Sequence, residues 1–118
     1  MSVGIKRIYE QVSSRDGYRV LVDRIWPRGL SRDAAALDAW MKELAPTDEL
    51  RKRFHADRSR WGEFRRRYLS ELKGHRESAR GLAQRARQGR VTLLYSASDE
   101  RYNNAVVLKQ YLKMLGAD

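Results

Sequence analysis

Apolar positions recur with two different periods along this chain, and the two periods divide it into strands and helices. Val3 to Tyr9 is rich enough in β-branched residues for a first strand, Tyr18 to Arg24 makes a second, and Val91 to Ala97 a third. The second and third are apolar on both faces, as buried parallel strands are. Between them the spacing predicts four helical segments. In Ala34 to Leu44, Leu37, Trp40, Met41 and Leu44 stand at i, i+3, i+4 and i+7, which predicts one helix with Trp40 buried. Pro46 separates it from a short helix after Thr47, whose first-turn Asp48 and Glu49 suit the helix dipole. Trp61, Phe64, Tyr68 and Leu72 then form an inward stripe up to Gly74. His75 to Gln88 follows with a thin apolar face of Ala79, Leu82, Ala83 and Ala86, stopped by Gly89. A last helix, Asn104 to Leu115, offers Val107, Leu108, Tyr111, Leu112 and Leu115.

The pattern predicts a single α/β domain over residues 1–118, with a small, mostly parallel sheet of about three strands and a helical insertion between strands two and three. The link from Tyr9 to Tyr18 is shorter than the dozen or so residues a parallel crossover takes, so the first pair could also be antiparallel.

The second strand runs out into Asp23-Arg24-Ile25-Trp26-Pro27-Arg28-Gly29-Leu30-Ser31, which crowds an acid, two guanidiniums and an indole into one turn. Ligand sites of α/β sheets gather where strands end. Pro27 pushes Trp26 toward extended geometry, Gly29 can take a positive φ, and Ser31 can cap a helix carrying Asp33. Arg24, Arg28 and the helix amides would make the corner attractive to a phosphate or carboxylate. The alternative is that Asp23 pairs with a neighbouring arginine and Trp26 plugs the core. The third strand's exit, with Ser96, Ser98, Asp99, Tyr102, Asn103 and Asn104, could face this corner across a cleft. Taken singly, Ser98 or Asn103 is better explained as a cap of the last helix.

Charge adds a second reading. Residues 51–90 hold 14 Lys or Arg against 4 Asp or Glu, and so carry the whole excess of +10. A nucleic-acid surface on Arg58, Arg66, Arg67 and Lys73 is one explanation. A solvated helical face is the plainer one, because the aromatics between these residues face inward. Small-anion binding leads, with weak and non-specific nucleic-acid contact, or a non-catalytic interaction protein with a vestigial pocket, as alternatives.

Several chemistries have no residues to support them. With no cysteine, the chain has no disulfide, thiolate metal site or thiol nucleophile. His55 and His75 lack second ligands at metal spacing and read as surface or structural groups, so no metal or cofactor is expected. Ser96 and Ser98 have no nearby histidine and no nucleophile elbow, and no glycine-rich phosphate loop is present. Lys6 and Arg7 come before any apolar stretch that could serve in a secretory signal, and no apolar run could span a bilayer, so a cytoplasmic protein without membrane contact is expected.

The run Val20 to Gly29, then Leu50-Arg51-Lys52 with Phe54-His55, Thr92 to Ser96, and Asn103 ahead of Ala105 to Leu108 resemble the YeaO-like branch of the domain-of-unknown-function family 488. The resemblance covers nearly the whole chain and implies no established activity. Longer members of that family carry a cysteine after the third strand and a Cys-His-Arg run opening the last helix, where this chain shows Tyr95, Asn103, Asn104 and Ala105. Closer members commonly have Asn-His in place of Asn103-Asn104. The comparison implies a ligand pocket whose most reactive groups have been replaced.

Overall fold

The structure, a computed structural model, describes residues 2–117. Four strands build one wholly parallel sheet: β1 (Ser2–Arg7), β2 (Tyr18–Leu21), β3 (Ala39–Trp40) and β4 (Arg90–Tyr95), in the order β1-β4-β2-β3. Five helices accompany them: α1 (Arg32–Ala35), α2 (Asp48–Ala56), α3 (Trp61–Lys73), α4 (Arg76–Gln88) and α5 (Asn104–Met114). The sheet thus has four strands where the pattern showed three. No described helix is long and apolar enough to cross a membrane.

The first two strands are not a pair at all, which removes the difficulty of their short link. β4 lies between them, and residues 8–17 carry the chain over it from the end of β1 to the start of β2. A 3₁₀ turn at Ser14–Asp16 makes this compact, held by a capping box in which Ser13 and Asp16 bond each other's backbone amides. Gly17 then turns the chain into β2 at φ +64, where a Cβ would come within 2.3 Å of the Arg90 carbonyl oxygen. The crossover is anchored by charge: Asp16, 7% exposed, pairs with both Lys6 and Arg19, and the Thr92 hydroxyl donates to the Asp16 carbonyl at 2.7 Å. Arg19 also donates to the carbonyls of Ala35 and Ala36. Burial pushes the Asp16 carboxyl up, but the bonds from Ser13, Lys6 and Arg19 outweigh it and leave its pKa below the ordinary 3.8.

One face of the sheet carries the main core. Val3, Val20, Val22, Val91, Leu93 and Tyr95 share it with α4 and α5, on which α3 packs. Phe64, Tyr68 and Leu72 of α3 and Ala79, Leu82, Ala83 and Ala86 of α4 are buried as their periodicity predicts, with Gly74 and Gly89 ending the two helices. The Tyr68 hydroxyl donates to the Leu44 carbonyl, and burial raises its pKa well above the usual phenol value. On the other face a smaller core gathers Ile8, Leu21, Ala35 and Leu94 with Trp26, Leu30, Leu37 and Trp40.

The expected helix from Ala34 to Leu44 does not form. Helix α1 stops after one turn because Ala36 adopts φ +48, and the chain pairs instead with the outer edge of β2. The backbone amides of Asp38 and Met41 donate to the carbonyls of Arg19 and Leu21, and the Arg19 amide donates to the Asp38 carboxylate. Those β2 groups are buried and need partners, a demand that outweighs the local helical spacing. Trp40 is accordingly half-buried in a strand, edge-on to Trp26 at 5.3 Å.

Candidate functional site

Because every strand runs the same way, the exits of β1, β2 and β4 reach one edge of the sheet. Asp23 joins two of them. One carboxylate oxygen accepts from the backbone amide and hydroxyl of Ser96 at 2.8 and 2.7 Å, and the other accepts from the side-chain amide of Asn104 at 3.0 Å. The same Asn104 amide nitrogen donates to the Val22 carbonyl at 2.9 Å, and the Trp40 indole donates to the Asp23 carbonyl at 2.7 Å. Asp23 thus has no arginine partner among the described residues; it bonds neutral donors and fixes the corner.

A cleft of about 520 Å³ opens above this tie. Asp23, Arg24, Trp26, Pro27, Arg28, Ser96, Asn103 and Asn104 all line it, so the two predicted corners do meet. Ser98 does not line it and lies exposed on the loop. Asn103 takes the capping role: its side-chain oxygen accepts from the Val106 amide and its nitrogen donates to the Asp99 carbonyl, starting α5. Gly29 turns the corner at φ +76 with open space around it, so backbone conformation alone calls for glycine there. Ser31 caps α1 as expected, yet α1 packs Ala35 beneath the sheet and contributes nothing to the cleft lining.

Five arginines reach the cleft against one carboxylate, that of Asp23. Arg7 donates to the carbonyls of Ser96 and Ala97, and Arg24 to those of Ala45 and Pro46, so both are held by backbone. The Arg28 side chain is exposed and makes no hydrogen bond among the described residues. Arg58 lies 3.8 Å from Asp99 and over the Phe54 ring. Arg51 touches Asp48 at 3.5 Å, while its buried Nε has no hydrogen-bond partner among the described residues. Backbone donors from Tyr102 and Arg101 hold the Asp99 carboxyl below its usual range, which fixes the loop between β4 and α5.

Arg7, Tyr9, Arg51, Phe54 and His55 were not expected in the cleft. His55, read from sequence as remote from either corner, lines it from α2. The signal was present, since positions 51, 54, 55 and 58 recur at helical spacing and mark one face of α2 leading into the turn that follows. Arg58 lines this cleft, which Arg66, Arg67 and Lys73 do not. Arg67 pairs with Glu63, which also holds Arg53 and Arg60. Among the described residues no group of three or more His, Cys, Asp or Glu is placed to hold a metal ion.

A family model described as the inactive DUF488-N3 subclade matches residues 2–116. The chain belongs to this subclade. Its relatives include the uncharacterized protein YeaO of Escherichia coli K12, 44% identical over 115 residues that cover 98% of this chain and 100% of YeaO. The uncharacterized protein Rv3073c of Mycobacterium tuberculosis H37Rv is 39% identical over 112 residues, covering 93% of this chain and 92% of the relative. No solved structure matches. The YeaO-like resemblance of the cleft-forming segments thus extends to membership of the DUF488-N3 subclade over nearly the whole chain.

Proposed function

We propose that this protein binds a small anionic ligand, bearing phosphate or carboxylate, in the cleft and does not turn it over. The observation that carries the reading is the convergence of five arginines on a space with one carboxylate. A guanidinium pairs such anions through two parallel hydrogen bonds, and the partly enclosed setting strengthens each of them. The Arg28 side chain, exposed and without a hydrogen bond among the described residues, is the group an anion would engage, with Arg51 lining the same cleft.

Two further features favour binding without chemistry. Asp23 already accepts three hydrogen bonds, which suits a structural tie better than a general base. Asn104 presents a neutral amide, which cannot move a proton near neutral pH as an imidazole can. The description of the DUF488-N3 subclade as inactive agrees with this reading.

The test is thermal unfolding in inorganic phosphate against chloride at matched ionic strength. A ligand at ten times its Kd adds about 1.4 kcal/mol, a readable rise in Tm. Arg28→Ala and Arg51→Ala should each remove most of that rise. Equal stabilisation of wild type and variants would reduce the effect to that of general salt and defeat the proposal.

A further inference from the structure

We infer that the ligand of this cleft carries a flat aromatic ring beside its anionic group. This rests on the anion-binding reading above and names the class of molecule that satisfies it. Five large apolar side chains are exposed among the described residues, and three of them, Tyr9, Ile25 and Tyr102, line this one cleft at 43%, 54% and 48% exposure. A bare inorganic anion would engage the arginines and leave that surface in water. Concentrated exposed apolar surface marks a binding site, whereas apolar residues scattered singly do not. A volume of about 520 Å³ also suits a ligand larger than phosphate alone.

The two phenol rings are held in place before any ligand arrives. Tyr102 stands edge-on to Trp61 at 5.2 Å, and Trp61 in turn stacks on Phe64 at 5.7 Å, so an aromatic chain runs from the core to the cleft. Its backbone amide is fixed by Asp99 at 3.0 Å. The Tyr9 hydroxyl donates to the Arg28 carbonyl at 2.9 Å, and the Arg7 guanidinium lies 5.1 Å from the Tyr9 ring. That bond joins the β1 exit to the β2 exit beside the free Arg28 side chain. Rings already fixed lose little entropy on binding, and guanidinium planes stack on aromatic faces while their edges take an anion. The cleft therefore combines π surface and paired donors, which is the complement of an aryl phosphate or aryl carboxylate.

The experiment is calorimetric titration of the wild-type chain with inorganic phosphate, methyl phosphate, cyclohexyl phosphate and phenyl phosphate at constant ionic strength. Phenyl phosphate should bind more tightly than methyl phosphate by about fivefold or more, and more tightly than cyclohexyl phosphate, because stacking rewards a flat ring. Tyr102→Ala, a change at an exposed ring, should weaken phenyl phosphate far more than methyl phosphate and so remove most of this advantage. If phenyl phosphate binds no better than methyl or cyclohexyl phosphate, or if Tyr102→Ala weakens all the esters alike, the aromatic inference fails while the anion site stands. If neither inorganic phosphate nor any ester binds, the anion reading fails and this inference with it.

Discussion

Two aspartates with different partners show how single residues divide the work of this molecule. Asp16 is buried with Lys6 and Arg19 and holds the crossover to the sheet. Removing the charge should cost about 3 kcal/mol, the lower end for breaking a buried pair, since Arg19 keeps its bonds to Ala35 and Ala36. The folded pKa of Asp16 lies below its ordinary 3.8, so its contribution is complete above that value and is lost as pH falls through the lower folded one. Urea titrations of wild type and Asp16→Asn should therefore differ by a constant amount near neutrality and converge only in the acid range beneath 3.8. Asp23 differs because its donors, Ser96 and Asn104, are neutral. Asp23→Asn would turn one oxygen into a donor facing other donors and should destabilise by about 2 kcal/mol. It would also remove the cleft's one carboxylate, so inorganic phosphate should bind more tightly to this weakened fold. Looser phosphate binding by Asp23→Asn would show that the tie from Asp23 to Ser96 and Asn104 shapes the anion site more than its charge opposes it.

At the scale of elements, legibility followed from how local the cause was. Helices α3, α4 and α5 could be read from the chain because their apolar stripes record which face meets the core, and glycines mark the ends of α3 and α4. The meeting of Asp23 with Ser96 and Asn104 was legible too, since parallel strands deliver their exits to one edge. Strand β3 was not, because its cause lies elsewhere: Ala39–Trp40 pairs where the buried β2 edge needs donors, and nothing in its own spacing records that. The contribution of Arg7 was hidden for the same reason, being set by strand order, whereas that of His55 was written in the spacing of positions 51, 54, 55 and 58. The turn at Ala36 gives this a test with a sign. Left-handed φ costs a non-glycine residue about 1 to 2 kcal/mol, more than the entropy glycine adds to the unfolded chain. Ala36→Gly should thus stabilise the fold by about 0.5 kcal/mol in urea denaturation. A continuous helix through position 36 would instead lose about 1 kcal/mol.

Over the whole molecule, the basic block that carries the +10 excess is divided in its contacts. Part of the basic block turns into the cleft through Arg51 and Arg58, and part is drawn onto Glu63, which binds Arg53, Arg60 and Arg67. Arg66 and Lys73 remain exposed on α3 without an ion pair among the described residues. A polyanion meeting cations divided in this way gains chiefly from counterion release, a sequence-independent contribution. Oligonucleotide binding should be weak, indifferent to sequence and steeply salt-dependent, and Arg66→Ala or Lys73→Ala should each lower the log-log salt slope by about one if that residue meets a phosphate. Arg28→Ala should leave this slope nearly unchanged while removing most of the rise in Tm with phosphate, because Arg28 lines the cleft whereas Arg66 and Lys73 stand on α3. Submicromolar affinity for one defined sequence at physiological salt would reverse the assignment and make the α3 face, not the cleft, the site on which function turns.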